Sequence, residues 1–450
     1  MTGRATAEVI APLSSAQYGL WFLEQLDGPS DAYIQPFAHR LRGPLDVPAL
    51  EHALTELVRR QRALRSRVDL VDGEPRQIVG PAGPARLHRL DLAHRPGDAA
   101  AEVSRFALRP FDLAAEDPLR TLLVRLGPDD HVLVCAVHHM FCDGLSLAVL
   151  GEELAVLYRA ARSGRPPATA LPPLAAQYAE VVAERAERAA GPRGRAALAR
   201  WRERLAGAPA LDLRTDLPRP PVRSGRGARV PLVVPAGDLR AVREAAGRHR
   251  VTPYMLLLAA FATTLRRAGR GTDLSVGTPV SGRSGPAEES LIGLFTNTVV
   301  LRLDLSGEPG PEVLLGRVRQ QALAAYQDGH VPFEHVVDEL RPARDLSRTP
   351  LFQVMFSFQE FDEHTLALDG LDGTLWDVPA GTSKFDLELE LGREGDRLTG
   401  FLEYSTDLFT AAGAGRLAGD FLDRLRDLLR GAPPAPSPRS PAHLSPEEPA

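Results

Sequence analysis

The sequence is poor in several residue types, and each shortage excludes something. Two cysteines, Cys135 and Cys142, stand in 450 residues, too few for a disulfide framework. No apolar run approaches the roughly 20 residues needed to cross a bilayer. The N-terminus (MTGRATAEVIAPLSSAQ) lacks the basic-then-apolar pattern of a signal peptide, so a cytoplasmic location is the expectation. Against 58 acidic residues stand 53 basic ones, a formal net charge of −5, which leaves no basic field for nucleic acid or an anionic membrane. Lysine is almost missing: Lys384 is the only one, and arginine carries the rest of the positive charge. There is no Walker loop, no dinucleotide-binding glycine fingerprint and no G-x-S-x-G elbow, so nucleotide-binding and serine-hydrolase readings have no support.

What is present is an ordinary globular composition, 44% hydrophobic and 25% charged, long enough for a large core and for two similar halves. Residues 49–66 place Leu50, Leu54, Leu57, Val58 and Leu64 near helical spacing. The valine-rich run 131–137 (HVLVCAV) predicts a buried strand, followed by a polar loop and an amphipathic helix from Leu145 to Ala161. Residues 178–205 predict a long helix interrupted near Gly191 and Pro192, and 214–227 a linker or surface loop. Beyond it the pattern predicts strands at 229–234, 273–280, 297–305, 351–360, 384–391 and 397–404. Helices are predicted at 238–249, 253–268 and 413–430. The Pro-rich end, 432–450, predicts a disordered tail. Strands and helices mix in both halves, which predicts an α/β or α+β fold of two lobes, 1–176 and 177–431.

Chemistry concentrates in His138-His139-Met140-Phe141-Cys142-Asp143-Gly144, directly after the strand. Successive strand side chains point to opposite faces, so only one of the two histidines can face a site. A histidine at a strand end is a candidate general base, since its ordinary pKa lies near neutrality. Asp143 is expected to hold the loop by pairing with an arginine, and Gly144 to let the backbone turn into the helix. The bland alternative is a structural histidine. A metal site made of His138, His139, Cys142 and Asp143 is the other alternative, but it lacks paired-cysteine or helical-histidine spacing.

This stretch resembles the H-H-x-x-x-D-G motif of condensation domains from nonribosomal peptide synthetases, members of the chloramphenicol acetyltransferase-like acyltransferases. Further motifs follow in that family's order. Ser15-Ala16-Gln17 through Trp21 is similar to S-x-A-Q-x-x-L-W, with Gly19 where arginine is common. Arg60, Leu64 and Arg65 match R-H-E-x-L-R-T-x-F. Gln177-Tyr178-Ala179 is a weaker match to Q-Y-A-D-Y. Ile292 to Thr298 with Arg302 resembles I-G-x-F-x-N-T-x-x-x-R. Val331-Pro332-Phe333-Glu334 resembles the end of H-Q-D-x-P-F-E, with Gly329 and His330 inserted, and Arg344 to Gln353 matches R-D-x-S-R-x-P-L-F-Q. Lys384-Phe385-Asp386-Leu387 also resembles a late family segment, so the single lysine has a reason to be kept.

The resemblance implies two acetyltransferase-like lobes in a V around a tunnel, entered by the phosphopantetheine arms of carrier proteins, with no bound cofactor and no metal. It implies that His139 accepts a proton or positions the nucleophile, and that a backbone N–H near Gly144 polarises the thioester carbonyl. His138 and Asp143 would be structural, Asp143 pairing with Arg65 or Arg60, and Asn297, Ser347 and Gln353 would shape the tunnel. Trp21, Phe22, Leu294 and Phe295 are expected in the core, and His330 and His335 at the surface or an interface. Both motif histidines are kept, unlike in heterocyclising relatives, and Leu145-Ser146-Leu147 replaces the S-W of epimerising ones. No adenylation or carrier segment is visible, so the expectation is a discrete enzyme acting in trans from a carrier-bound donor onto a soluble hydroxyl or amine. An excised synthetase domain, a CoA-dependent acyltransferase and an inert recruitment module remain the alternatives.

Overall fold

The structure is a computed structural model and describes residues 9–362 and 366–431. The expected tail, 432–450, lies outside the described residues. Each half is a sheet carrying helices, the mixed α/β arrangement that the sequence pattern predicts.

The first half is organised around the strand Asp130–His138. It is the middle strand of a five-stranded sheet whose order is 372–375, 34–42, 130–138, 119–127, 87–91. Residues His131 to His138 are all buried, because both faces of the sheet are covered. Leu133, Cys135 and Val137 pack against Leu50, Leu54 and Leu57 of the helix Val47–Arg60 and Leu150, Leu154 and Leu157 of the helix Gly144–Arg162. Val132 and Val134 pack the other way, onto Val103 and Ala107 of the helix Ala99–Ala107. The helix predicted over 49–66 ends at Arg60, and 62–65 is a tighter 3-10 turn.

The second half holds a six-stranded sheet in the order 297–304, 273–280, 354–362, 387–394, 397–405, 227–234. Its core contains the helix Pro253–Ala268, buried from Met255 to Leu265 and apolar on every side, with 236–249 and 411–429 beside it. Alternate strand residues (Val354, Phe356, Leu387, Leu389, Leu402) point into that core. The intervening ones, Ser357, Gln359, Glu388, Glu390 and Glu403, occupy the opposite face. The strand predicted at 351–360 begins at Val354, after Leu351 has taken a left-handed backbone (φ 66°) behind Pro350. The strand predicted at 384–391 begins at Leu387 because 383–386 form a bonded loop. The stretch 214–227 is a loop as expected, but a pinned one: Asp216 binds Thr410, and Arg219 pairs with Asp386.

The halves interlock. Asp372–Leu375, far along the second half, pairs antiparallel with Leu41 and its neighbours at the edge of the first sheet. Leu366, Leu368 and Ile292 join the first half's core. The loop after His138 therefore lies where the two halves meet.

Candidate active site

His138 is the last residue of its strand, paired with Ile34. It is fully buried: its Nδ1 accepts the Met140 N–H at 3.2 Å, and its Nε2 lies 2.8 Å from Glu24 Oε1. His139 begins the 3-10 turn His139–Phe141 just past the strand end and is partly exposed. Its Nδ1 lies 2.7 Å from the Cys142 carbonyl oxygen. A carbonyl can only accept, so Nδ1 carries the ring proton and Nε2 presents a free lone pair. Burial, reinforced by the Lys384 cation, pushes the His139 pKa down to about 4, so the ring is neutral at physiological pH and able to accept a proton. The loop is braced from below by Gln17, whose Nε2 donates to the Met140 carbonyl at 3.0 Å. Burial pushes the Cys135 thiol up to about 12 and raises Cys142 well above its ordinary value, which removes both as thiolate nucleophiles.

Asp143 is fully buried and caps the helix Gly144–Arg162 by accepting from Ser146 N at 2.9 Å. Its pairing with an arginine holds, but the partner is neither Arg65 nor Arg60. Arg283 Nη2 donates to Oδ1 at 2.9 Å from a loop of the second half. Oδ2 accepts from Phe295 N, Thr296 N and Thr296 Oγ1 at 2.9, 3.0 and 3.2 Å. One carboxylate thus satisfies donors from both halves of the chain. Arg60 is instead committed to Glu153, at 2.7 Å, and Arg65 to the Gly80 carbonyl. Both sit on the side of the first half where the helix Val47–Arg60 ends. The spacing of a motif along the chain carries no information about which of many arginines folds back onto it.

Other expectations need the same correction. Gly144 has no positive φ, and a Cβ there would meet only Gln359 Nε2, at 4.0 Å, so the turn does not require glycine. What its missing side chain leaves is open space beside a helix N-terminus, where the first N–H groups have no intrahelical partner. Asn297 is spent on structure: Nδ2 donates to Gly329 O and Val331 O at 2.9 and 2.6 Å, and Oδ1 accepts from Phe333 N. Gln353 is buried and bridges Leu211 N and Thr349 O, at 2.7 and 3.0 Å. Ser347 is buried too, its N–H on Asp345 and its carbonyl on Arg219. The side-chain amides of Asn297 and Gln353 close loops, and Ser347 is held through its backbone. Leu294 and Phe295 are core as expected, but Phe22 is 54% exposed. His330 is exposed and His335 bonds Ser15 Oγ across the junction of the halves at 2.9 Å, as surface and interface histidines do.

The residues that sequence reasoning missed are Arg283, Ser146, Gln17 as a brace, Glu24 and Gln359. A motif match flagged Gln17 without its role. Arg283 stands in a Ser/Gly-rich loop (SGRSG) just beyond a strand end, a weak signal that becomes meaningful only when Asp143 is seen beside it. Among the described residues no three His, Cys, Asp or Glu side chains gather as metal ligands, and no helix is long and apolar enough to cross a membrane.

The fold and this loop are those of the condensation-domain class, and comparison with known proteins agrees. The family model for the Condensation domain matches residues 7–437, and the chain belongs to that family. It is 40% identical over 441 residues (94% of this chain) to the isonitrile lipopeptide synthase of Mycobacterium tuberculosis, of which it covers 17%. It is also 40% identical over 405 residues (88% of this chain) to malpinin synthetase of Mortierella alpina, of which it covers 5%. The chain therefore spans less than a fifth of the length of these relatives. Among solved structures it is similar to the X-domain from teicoplanin biosynthesis, with TM-score 0.85 and 30% identity over 94% of this chain and 96% of that one. It is also similar to SgcC5 from Streptomyces globisporus, with TM-score 0.77 and 27% identity over 94% of this chain and 100% of that one.

Proposed function

We propose that the chain transfers an acyl or aminoacyl group from a carrier-protein phosphopantetheine thioester to an amine or hydroxyl acceptor, forming an amide or ester. The observation that carries this reading is the His139 ring: neutral, fixed by Nδ1 on Cys142 O, and partly exposed with Nε2 free. Nε2 would take the acceptor's proton as its N or O attacks the thioester carbon, and return it to the departing sulfur. The open space at Gly144, at the positive end of the helix Gly144–Arg162, would receive the carbonyl oxygen as it gains charge. A pantetheine arm would supply the thioester from outside, and no resident cofactor is needed for these steps. Two neighbours frame the acceptor. The synthetase relatives favour a carrier-bound amine. SgcC5 is described in complex with a naphthyl ethanediol, which favours a soluble hydroxyl and a discrete enzyme acting in trans.

The test is His139→Ala assayed with an aminoacyl-pantetheine donor and paired amine and alcohol acceptors, read by product mass. A loss of about 100-fold or more at unchanged folding supports the reading. Activity within a few-fold of wild type overturns it. A second reading comes from the X-domain neighbours, one of them described in complex with OxyB: a module that recruits a partner protein. The intact, correctly tautomerised His139 favours transfer, and a wild-type protein without any transfer activity would favour recruitment.

A further inference from the structure

Around the loop that carries His139, side-chain amides are spent on the protein itself. Gln17 donates to Met140 O, Gln61 joins Glu153, Ser290 and Ile292, and Asn297 and Gln353 close their own loops. Gln359 differs from all of these. It stands on the strand Val354–Asp362 of the second half, on the sheet face turned away from that half's core, and is exposed. Among the described residues nothing hydrogen-bonds its amide. Its cross-strand neighbour is Gly392, which has no side chain to engage it, and the register slips immediately beyond, resuming where Asp362 meets Arg393. Strand irregularities of this kind re-aim side chains.

The Gln359 side chain reaches across to the first half. Its Nε2 lies 4.0 Å from the point where a Cβ of residue 144 would stand, and apart from Gly144's chain neighbours and its own helix nothing else comes within that distance. Asp143 takes up the N–H groups of Ser146 and Leu147, so the first two N–H groups of the helix, those of Gly144 and Leu145, are left with no acceptor within it. The amide of Gln359 thus turns its donor, not its carbonyl, toward a helix end that is itself made of donors. What both can bind is an acceptor, and an oxygen about 2.9 Å from Nε2 would stand in the space that the absent side chain of Gly144 leaves.

We infer that Gln359 is a catalytic residue contributed by the second half, its Nε2 donating to the acyl carbonyl oxygen of the thioester opposite the N-terminus of the helix Gly144–Arg162. The inference rests on the transfer reading and extends it. As the acceptor's nitrogen or oxygen bonds to the carbonyl carbon, its proton passes to His139 Nε2 and the C–O π pair moves onto the oxygen, where Gln359 and the helix N-terminus meet it. Collapse restores the C–O double bond, breaks the C–S bond and returns the proton from His139 to sulfur. A donor fixed on the other half strengthens its bond only as the oxygen gains charge, so its contribution falls on the rate rather than on substrate binding.

The experiment compares Gln359→Met, which keeps the length of the side chain and removes the donor, with wild type. With an aminoacyl-pantetheine donor, kcat is expected to fall by about 10-fold or more while KM moves by less than about three-fold, at an unchanged melting temperature. Binding is measured beside it with two probes, pantetheine carrying a methylphosphonate on sulfur, a tetrahedral anion, and S-ethyl pantetheine, which has no such oxygen. Gln359→Met should lose about 10-fold or more in affinity for the phosphonate and none for the S-ethyl compound. In wild type the Gln359 side-chain NH2 resonance should shift with the phosphonate alone, which covers a variant that fails to fold. Unchanged kcat and phosphonate affinity in a folded Gln359→Met overturn the inference, as do equal losses for both probes or an NH2 resonance that neither probe moves. The probes need no turnover, so a wild type that transfers nothing yet shows the phosphonate-specific response of Gln359 would count against the transfer reading alone.

Discussion

The buried pair between Asp143 and Arg283 makes the sharpest prediction, because the family resemblance pointed to other arginines. Arg283→Ala strips its paired cation from a carboxylate that is 0% exposed. Breaking a buried pair by removing one partner costs about 3–5 kcal/mol. Five donors to Asp143 survive, from Ser146 N and Oγ, Phe295 N, and Thr296 N and Oγ1, which argues for the lower end of that range. The same truncation leaves Glu288 O and Leu291 O without the Nη1 donor they share, and lost hydrogen bonds of that kind add about 1 kcal/mol each. It also removes a guanidinium lying 4.1 Å over the Phe295 ring. The expected loss is about 3–5 kcal/mol, read as a fall in the urea midpoint. Arg65→Ala is the control: it gives up one bond to Gly80 O, worth about 1 kcal/mol. In the double variant Asp143→Ala/Arg283→Ala the losses should fall well short of adding. Equal losses for Arg65→Ala and Arg283→Ala, or an Arg283→Ala protein within about 1 kcal/mol of wild type, would refute the assignment of Arg283 as the partner.

Three further outcomes follow from the same geometry. Because His139 falls from 6.5 to about 4 on folding, the unfolded chain binds the extra proton first; its contribution is intact above about pH 6.5 and is lost as pH falls towards 4, measurable as a declining midpoint that His139→Gln flattens. Glu388 runs the other way: burial, then Glu390 and Glu403, raise it from 4.5 to about 8, so its native proton is opposed by ionisation of the unfolded chain as pH rises. Glu388→Gln should therefore gain stability over wild type progressively between about pH 4.5 and 8, and an advantage constant with pH would exclude Glu388 as the cause. Gly144→Ala should fold with an unchanged melting temperature, since its Cβ meets nothing closer than 4.0 Å, yet lose transfer rate by about 10-fold or more if that space takes the thioester. A destabilised Gly144→Ala would show that the glycine serves the backbone instead.

How much of this was legible in the sequence depended on how local each feature is. The strand 130–138, the helix 253–268 and the break at Gly191 and Pro192 were readable because buried runs and punctuation are local signals. The tautomer-fixing bond from His139 to Cys142 spans three residues, so the motif itself contained it. The Asp143 helix cap is equally local, directly before Gly144, but the sequence reading gave Asp143 only an arginine partner. Its arginine lay 140 residues away, and the helices 311–327 and 333–340 were not singled out, although the H-Q-D-x-P-F-E match crosses their junction. Asn297 and Gln353 show a role that the sequence left unseen. Polar residues inside a family motif invite a functional reading, but each spends its amide on closing loops, which a single sequence cannot distinguish from lining a tunnel.

The placement of Asp143 gives the interlocked architecture a chemical consequence. Its backbone directly follows Cys142, whose carbonyl fixes the His139 tautomer, while its side chain is gripped by Phe295, Thr296 and Arg283 from the other half. Gln61 adds a second tie, accepting from Ile292 N and donating to Ser290 O in the stretch just before Phe295. The orientation of His139 is therefore set not by its own strand alone but by the seating of the second half, through a carboxylate one residue beyond the carbonyl that holds the ring. A rigid strand supplies the position, and a cross-half hydrogen-bond network supplies the angle. This division explains why a motif of seven consecutive residues needs an aspartate that touches no reacting atom: without it the helix cap, the junction of the halves and the carbonyl under His139 would each be free to move separately.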